Sequence, residues 1–281
     1  MLTLKTSSEF LQWRALVSPL ESIGLVPTMG ALHEGHLSLI RQSIKDCDVS
    51  CVSIFINPLQ FGVNEDLESY PQDIVGDLKK LKAIGVDVVF IPHTNDIYNN
   101  DDSLLIVENN LSRKLEGKSR PTFFSGVLTI VSKLLNLVRP DFAYFGMKDA
   151  QQLIIIQKMV KEMKYPVQIV PCETVREHNG LAMSSRNEYL NKEQRENAKI
   201  IYLSLLHARE LINNGETNPS IIKAAIKDMV LSETTLTLDY ISIAERETLV
   251  EITDDVKTNN KTLISIAVFL NGVRLIDNVY I

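Results

Sequence analysis

Cysteine is scarce in this sequence. Three residues, Cys47, Cys51 and Cys172, stand among 281; they are too few and of odd number for a disulfide framework, and such usage fits a reducing cytosol. A surplus of basic residues is also lacking: the formal net charge is −6, whereas a phosphate backbone is gripped chiefly by clustered Lys and Arg. Nucleic acid is therefore disfavoured as a partner. Nowhere do about 18 apolar residues run together, the length a membrane-spanning helix needs. The opening MLTLKTSSEFLQW has neither the apolar core nor the small-residue cleavage site of a signal peptide. The expectation is a soluble cytoplasmic protein with no membrane partner. Internal repeats, low-complexity tracts and a Gly/Pro-rich linker are absent too. What is there is an ordinary globular balance, 45% hydrophobic and 23% charged, on a chain long enough for one large and one smaller domain.

Strand and helix signals alternate through the first part. Short β runs at 21–27, 48–57, 86–92, 141–145 and 166–170 are separated by helical patterns at 35–47, 77–85, near 125–138 and near 149–163. In the first of these helices Leu37, Ile40 and Ile44 share one face, and Gly85 closes the second. Such alternation predicts an α/β domain over 1–174, a Rossmann-like, doubly wound parallel sheet with ligands gathered at the carboxyl ends of the strands. After about residue 175 the pattern changes to helices over 192–213 and 219–232, then β runs over 237–245 and 262–270, with a polar loop at 254–260. This predicts a smaller C-terminal α+β domain over 175–281.

The stretch LVPTMGALHEGHLSLIRQS (25–43) sets His33 and His36 three apart at the predicted strand-to-helix turn. A zinc-protease helix needs two histidines four apart, and no further nearby ligand completes a zinc set. Two ordinary turn histidines are the plain alternative. The context favours an anion site. Gly30 and Gly35 allow close backbone approach, and the first-turn N–H groups of a helix are unpaired and carry about half a positive charge. A phosphate sits readily there, with the imidazoles as further donors and the imidazolium form favoured by a polyphosphate. Two more clusters belong to the same edge in this reading. FGMKDAQQL (145–153) places Gly146, Lys148 and Asp149 after a strand; Asp149 suits ribose hydroxyls, or simply caps the next helix. GLAMSSRNEYL (180–190) offers the hydroxyls of Ser184 and Ser185 and the guanidinium of Arg186; an N-cap sequence with a solvated arginine is its plain reading.

Together PTMGALHEGH, FINPLQFG, GMKDAQQ, GLAMSSRN and RLIDN, in this order from about residue 25 to the end, resemble the pantothenate synthetases. The histidine pair resembles the HIGH signature of the wider nucleotidyltransferase and class I aminoacyl-tRNA synthetase superfamily, and MSSRN stands where those enzymes carry their KMSKS loop. The resemblance implies an ATP-dependent ligase that joins pantoate to β-alanine through a pantoyl adenylate, releasing pyrophosphate and then AMP, with Mg2+ accompanying ATP, and it implies a homodimer. Carried over by motif, Met29, Gly30, Ala31, Leu32, His33, Glu34, Gly35 and His36 line the ATP phosphates. Gly146, Met147, Lys148 and Asp149 hold ribose and phosphate. Met183, Ser184, Ser185 and Arg186 form a second clamp, and the backbone of Val175 meets adenine. His33, His36, Lys148 and Arg186 are the catalytic candidates. Gln60, Gln152, Asn57 and Met29 are implied for pantoate or β-alanine, with Phe55 and Phe61 as apolar wall; without the resemblance, Gln60 and Gln152 read as surface polarity. Asp77 falls in a segment the family associates with metal.

Several positions depart from the family's pattern: Phe123 in RPTFFSGV where histidine is usual, His178 and Asn179 in REHNG, and Gly76 beside Asp77. None touches the implied catalytic set, so an active enzyme with altered nucleotide affinity or metal dependence is expected. Two rivals remain at this point: a nucleotidyltransferase making a stable nucleotide conjugate, and a nucleotide-binding module without turnover.

Overall fold

A computed structural model describes residues 1–62, 65–99, 101–258 and 260–281; residue 259 of the predicted 254–260 loop lies outside them. The chain divides into two compact units, one of Met1–Met147 with Gln152–Glu173 and one of Lys148–Gln151 with Thr174–Ile281.

In the first unit six strands, β1 (Leu2–Leu4), β2 (Ile23–Thr28), β3 (Val49–Ile54), β4 (Val88–Phe90), β5 (Phe142–Gly146) and β6 (Gln168–Cys172), form one sheet of order β1-β4-β3-β2-β5-β6. Every pairing is parallel. Its crossovers run through α1 (Ser7–Leu16), α2 (Glu34–Asp46), α3 (Ile74–Ile84), α4 (Thr94–Ile97), α5 (Glu116–Ser119), α6 (Phe123–Val138) and α7 (Ala150–Met163). The predicted α/β sheet is thus present. The central strands are buried along nearly their whole length, as strands covered on both faces are: five of the six residues of β2 and of β3 are buried, the serines of β3 among them. The order reverses between β2 and β5, the topological switch at which open parallel sheets bind ligands. The strands end there at Thr28 and Gly146.

The cysteines hold no disulfide. Cys51 is buried in β3, and burial pushes its thiol up to about 12; Cys172 is pushed to about 11. Cys47, half-buried against the Tyr144 hydroxyl at 3.3 Å, is raised as well. Thiolates are the reactive form, so none of the three is set up as a nucleophile.

In the second unit α8 (Lys192–Asn197), α9 (Lys199–Asn213) and α10 (Pro219–Leu231) precede an antiparallel sheet β7-β8-β9, of Leu236–Glu245, Thr262–Leu270 and Val273–Tyr280. Ile201, Leu205 and Ala208 of α9 and Ile222 and Ile226 of α10 share one core cluster with Ile264, Ile266 and Val268 of β8. The smaller α+β unit matches its sequence pattern, with one strand, β9, that the pattern did not supply.

Candidate active site

β2 ends on Thr28, whose hydroxyl donates to Ser53 O (2.8 Å) and accepts from Gly30 N (3.3 Å). The chain then turns through two left-handed residues, Gly30 (φ 85°) and Ala31 (φ 48°). Glycine is required at 30: a Cβ there would meet Ile54 Cγ2 at 3.1 Å and Asp77 Oδ2 at 3.2 Å, at a backbone angle L side chains avoid. Ala31 carries the same strain without that relief, so something must hold the turn. Two residues of α3 do. Asp77 Oδ1 accepts from Leu32 N (2.8 Å), and Lys80 Nζ donates to Leu32 O (2.6 Å) while lying 3.6 Å from the same carboxylate.

His33 is the N-cap of α2. Its Nδ1 accepts from Gly35 N (3.1 Å), and His36 Nδ1 accepts from His33 N (3.4 Å), a reciprocal capping box built from imidazoles. The ring centroids are 4.0 Å apart. An accepting Nδ1 has no hydrogen, so in each neutral ring the proton is on Nε2 and that atom is a donor. Two expectations change here. The first-turn amides of α2 are not all available to phosphate, since Gly35 N is taken by the His33 cap; Leu32 N and His33 N, just before the helix, are taken too. An imidazolium would have to surrender its cap hydrogen bond to carry a proton on Nδ1. Donation passes from backbone to imidazole, while the positive end of the helix remains. Within the turn, Met29 is half-buried, Leu32 is buried with both backbone groups engaged, and exposed Glu34 pairs with Arg41 rather than with its neighbours.

Asp77, the expected metal residue, does not fit that role. Its side chain is fully buried; one oxygen is spent on Leu32 N and the other has no hydrogen-bond partner. Magnesium keeps several waters and needs an open ligand face, which a sealed carboxylate denies. Among the described residues no group of three or more His, Cys, Asp or Glu could hold a metal ion. Gly76 suits Asp73 instead: Asp73 caps α3 at Gly76 N (2.9 Å), and a Cβ at 76 would fall 1.9 Å from its Oδ2.

After β3, fully buried Asn57 precedes the 3-10 turn Pro58–Gln60, and Asn57 and Gln60 are hydrogen-bonded to each other (2.9 Å). Gly126 lets α6 pack on this turn, since a Cβ there would lie 2.2 Å from Leu59 O. Arg120 holds Gln60 O (3.0 Å), forms a two-point ion pair with Glu65 and lies over the Phe123 ring at 3.8 Å. The aromatic departure at 123 is therefore a platform for Arg120. Phe55 is buried, and Phe61 packs edge-on to Tyr70. Gln152 sits half-buried on α7.

In the second unit, Lys148 lies in a 3-10 turn (Met147–Asp149) directly after β5, with Nζ 3.5 Å from Asp149 Oδ1. Gly146 has open space where a side chain would stand. Asn278 of β9 donates to Lys148 O (2.7 Å), and its neighbour Asp277 takes Arg176 in a two-point pair at 2.6 and 3.0 Å. Arg176 in turn stacks on Tyr202 and donates to Gly180 O. That bracing shapes a hairpin in which Met183 N meets Val175 O (3.0 Å) and Gly180 is left-handed. Asn179, one of the departures from the family's pattern, accepts from Leu181 N and donates to Arg195 O, so it builds the turn. Ser184 caps the 3-10 turn Ser185–Tyr189 by accepting from Arg186 N (3.3 Å); Ser185 is buried and Arg186 half-buried. The plain N-cap reading thus holds for Ser184, which keeps a hydroxyl hydrogen to give. Lys80 carries no motif signature; Arg120 stands in RPTFFSGV and Asp277 and Asn278 in RLIDN, but neither motif showed what they hold.

The family described as pantoate-beta-alanine ligase matches residues 2–280. The pantothenate synthetase of Caldicellulosiruptor bescii is 47% identical over 261 residues, covering 93% of this chain and 92% of that one. That of Staphylococcus saprophyticus is 46% identical over 260 residues, covering 92% and 91%. Among solved structures, the pantothenate synthetase of Thermus thermophilus superposes with a TM-score of 0.93 at 38% identity, covering 99% of each chain. The Francisella tularensis pantoate-beta-alanine ligase, complexed with beta-gamma ATP and beta-alanine, gives 0.83 at 36% identity over 100% of this chain and 97% of that one. With a match along nearly its whole length and relatives this similar, the chain belongs to the pantoate-β-alanine ligase family and is a ligase.

Proposed function

We propose that this protein condenses pantoate with β-alanine at the expense of ATP, through a pantoyl adenylate. A pantoate carboxylate oxygen attacks the α-phosphorus, forming a C–O–P link as the bond to pyrophosphate breaks. The β-alanine amine, once deprotonated, then attacks the acyl carbon; the C–N bond forms, the C–O bond breaks and AMP leaves with the oxygen that came from pantoate. The observation that carries the reading is the capped histidine pair at the carboxyl end of β2, two Nε2 donors locked to the backbone by their other nitrogens. Charge builds on the phosphoryl oxygens and the leaving pyrophosphate, and donors fixed beforehand stabilise it more than they stabilise bound ATP. One such donor is worth about 2.7–4 kcal/mol.

In this reading Met29, Gly30 and His33–His36 contact the phosphates, and Lys148 and Arg186 add charge during transfer. Gly146, Met147 and Asp149 meet ribose, Val175 meets adenine, and Met183, Ser184 and Ser185 complete the nucleotide contacts. Gln60 and Gln152 take pantoate. Magnesium would arrive on the phosphate oxygens of ATP with its own water; no residue is assigned to it. A homodimer is carried over from the family resemblance. A cytoplasmic location rests on the three unpaired thiols; among the described residues no helix is long and apolar enough to cross a membrane. The test is incubation with ATP, pantoate and labelled β-alanine. AMP and a labelled amide in equal amounts are expected. A persistent adenylated product would replace ligation by nucleotidyl transfer, and no turnover with ATP still bound would leave a binding module.

A further inference from the structure

RLIDN is the motif that the proposed function leaves without a role, and it lies on β9. That strand is an edge, paired with β8 alone among the described residues, and sheet edges are commonly covered by other chain segments. Asp277 and Asn278 are exposed there to only 4% and 6%, so neither is placed to meet a ligand. Their side chains turn to two segments far away in sequence. Asn278 Nδ2 donates to Lys148 O at 2.7 Å; a carbonyl can only accept, so the orientation of this amide is decided. The Asp277 carboxylate takes the Arg176 guanidinium at 2.6 and 3.0 Å, and its Oδ1 also accepts from Asn278 N at 2.8 Å. The two residues are thus joined to each other as well as to their partners.

What each contact fixes follows from its surroundings. Lys148 Nζ lies 3.5 Å from Asp149 Oδ1, a long ion pair, so the bond to Lys148 O is what secures the turn from which this side chain springs. Arg176 is held on three sides, by Asp277, by Gly180 O at 3.1 Å and by the Tyr202 ring, whose centre is 3.5 Å from Cζ. Gly180 is left-handed, and a Cβ there would stand 2.8 Å from Tyr202 Cδ1, so the same ring supports both ends of the turn. Across the hairpin Arg176 pairs with Ala182 as an antiparallel bridge, and Met183 N donates to Val175 O at 3.0 Å. Asp277 therefore anchors the strand pair that carries Val175 and delivers the chain to Ser184.

We propose that Asp277 and Asn278 are positioning residues that hold Lys148 and the hairpin of Val175 and Met183 at one spacing, so that both act on a single nucleotide. This rests on the function proposed above, in which Lys148 serves phosphoryl transfer and Val175 meets adenine. A lysine is a point charge on a flexible stem, and a donor favours the transition state only when its place is set beforehand. Asn278 acts through Lys148, and Asp277 acts through Arg176. An edge strand that merely completes a core would tie neither residue to the ATP step in particular.

Pyrophosphate release from ATP and pantoate without β-alanine, followed in single turnovers of the full-length enzyme, decides the point for Asn278→Ala, Lys148→Ala and the two combined. Asn278→Ala should slow release by about tenfold or more at saturating substrates, with the half-saturating pantoate concentration within about twofold of wild type. In the Lys148→Ala background the same substitution should cost less than about twofold, because the side chain it places is already gone. A loss of the same factor in both backgrounds, or no loss in either, overturns the part given to Asn278. If Asn278→Ala does not fold, Asn278→Ser, which keeps a shorter donor, is carried through the same cycle. Arg176→Lys keeps a cation on the buried carboxylate but loses the two-point fork and the stacked plane, and should raise the half-saturating ATP concentration by about fivefold or more. Wild-type ATP dependence in that variant overturns the part given to Asp277. A wild-type enzyme that makes no amide overturns the proposed function, and this inference falls with it; wild-type ligation with additive losses overturns this inference alone.

Discussion

His33 and His36 each spend Nδ1 on a backbone N–H, so each does two jobs, closing the first turn of α2 and carrying a hydrogen on Nε2. His36→Ala should therefore show two separable losses. Turnover should fall at least tenfold, about 1.4 kcal/mol or more of transition-state stabilisation, with the circular dichroism spectrum unchanged. The missing cap should cost about 0.5–2 kcal/mol in denaturant unfolding. Near wild-type turnover would remove His36 from the chemistry and leave it a cap. Asp77 is argued the other way. Asp77→Ala strands the buried Leu32 N–H and releases a turn that holds Ala31 at positive φ, at a cost of about 1–3 kcal/mol. Asp77→Asn keeps an acceptor for Leu32 and should lose less. In both variants the magnesium concentration giving half-maximal rate should stay at the wild-type value, measured under saturating ATP; a large shift there with unchanged stability would restore Asp77 as a metal ligand.

At the scale of elements, sequence pattern was informative wherever burial follows it. The apolar strands β2 and β3, the amphipathic α2 and the αL stop at Gly85 were all legible, because each obeys a local rule of period or capping. Other features escaped, the short β1, α4 and α5 among them. α1 buries only Phe10, so its sequence has no apolar stripe to read. The helix expected over 192–213 breaks at Ala198, where neither glycine nor proline marks a stop. β9 carries Arg274, Asp277 and Asn278 within a strand; Asp277 and Asn278 are buried because Arg176 and Lys148 O take their polar atoms, partners more than a hundred residues away that no window on the sequence contains. The site was legible in the same uneven way. The motifs name candidate residues, while the direction of their hydrogen bonds, as at His33 and His36, comes only from the folded backbone around them. Packing between elements makes its own prediction. Gly126→Ala would press a methyl into the backbone of Leu59 and Gln60. It should destabilise the protein by about 1–3 kcal/mol as overpacking does, and, by displacing the turn that bears Gln60, raise the KM for pantoate.

For the whole molecule, the thiols set an alkaline limit. Cys51 and Cys172 hold their protons to about 12 and about 11 in the folded chain, against an ordinary value of 9.0 once unfolded. Above pH 9.0 the unfolded chain therefore binds fewer protons than the folded one, so stability falls as pH rises through that range. Denaturant midpoints taken on either side of it should decline, and Cys51→Val should flatten the decline; an unchanged slope would mean that the thiols do not contribute. The central claim is chemical, that the carboxylate attacks the α-phosphorus. Pantoate labelled with oxygen-18 in its carboxylate tests it in one mass spectrum of the products. The expected result is one labelled oxygen in the phosphate of AMP and one in the amide carbonyl. Unlabelled AMP, or ADP together with labelled orthophosphate, would contradict it.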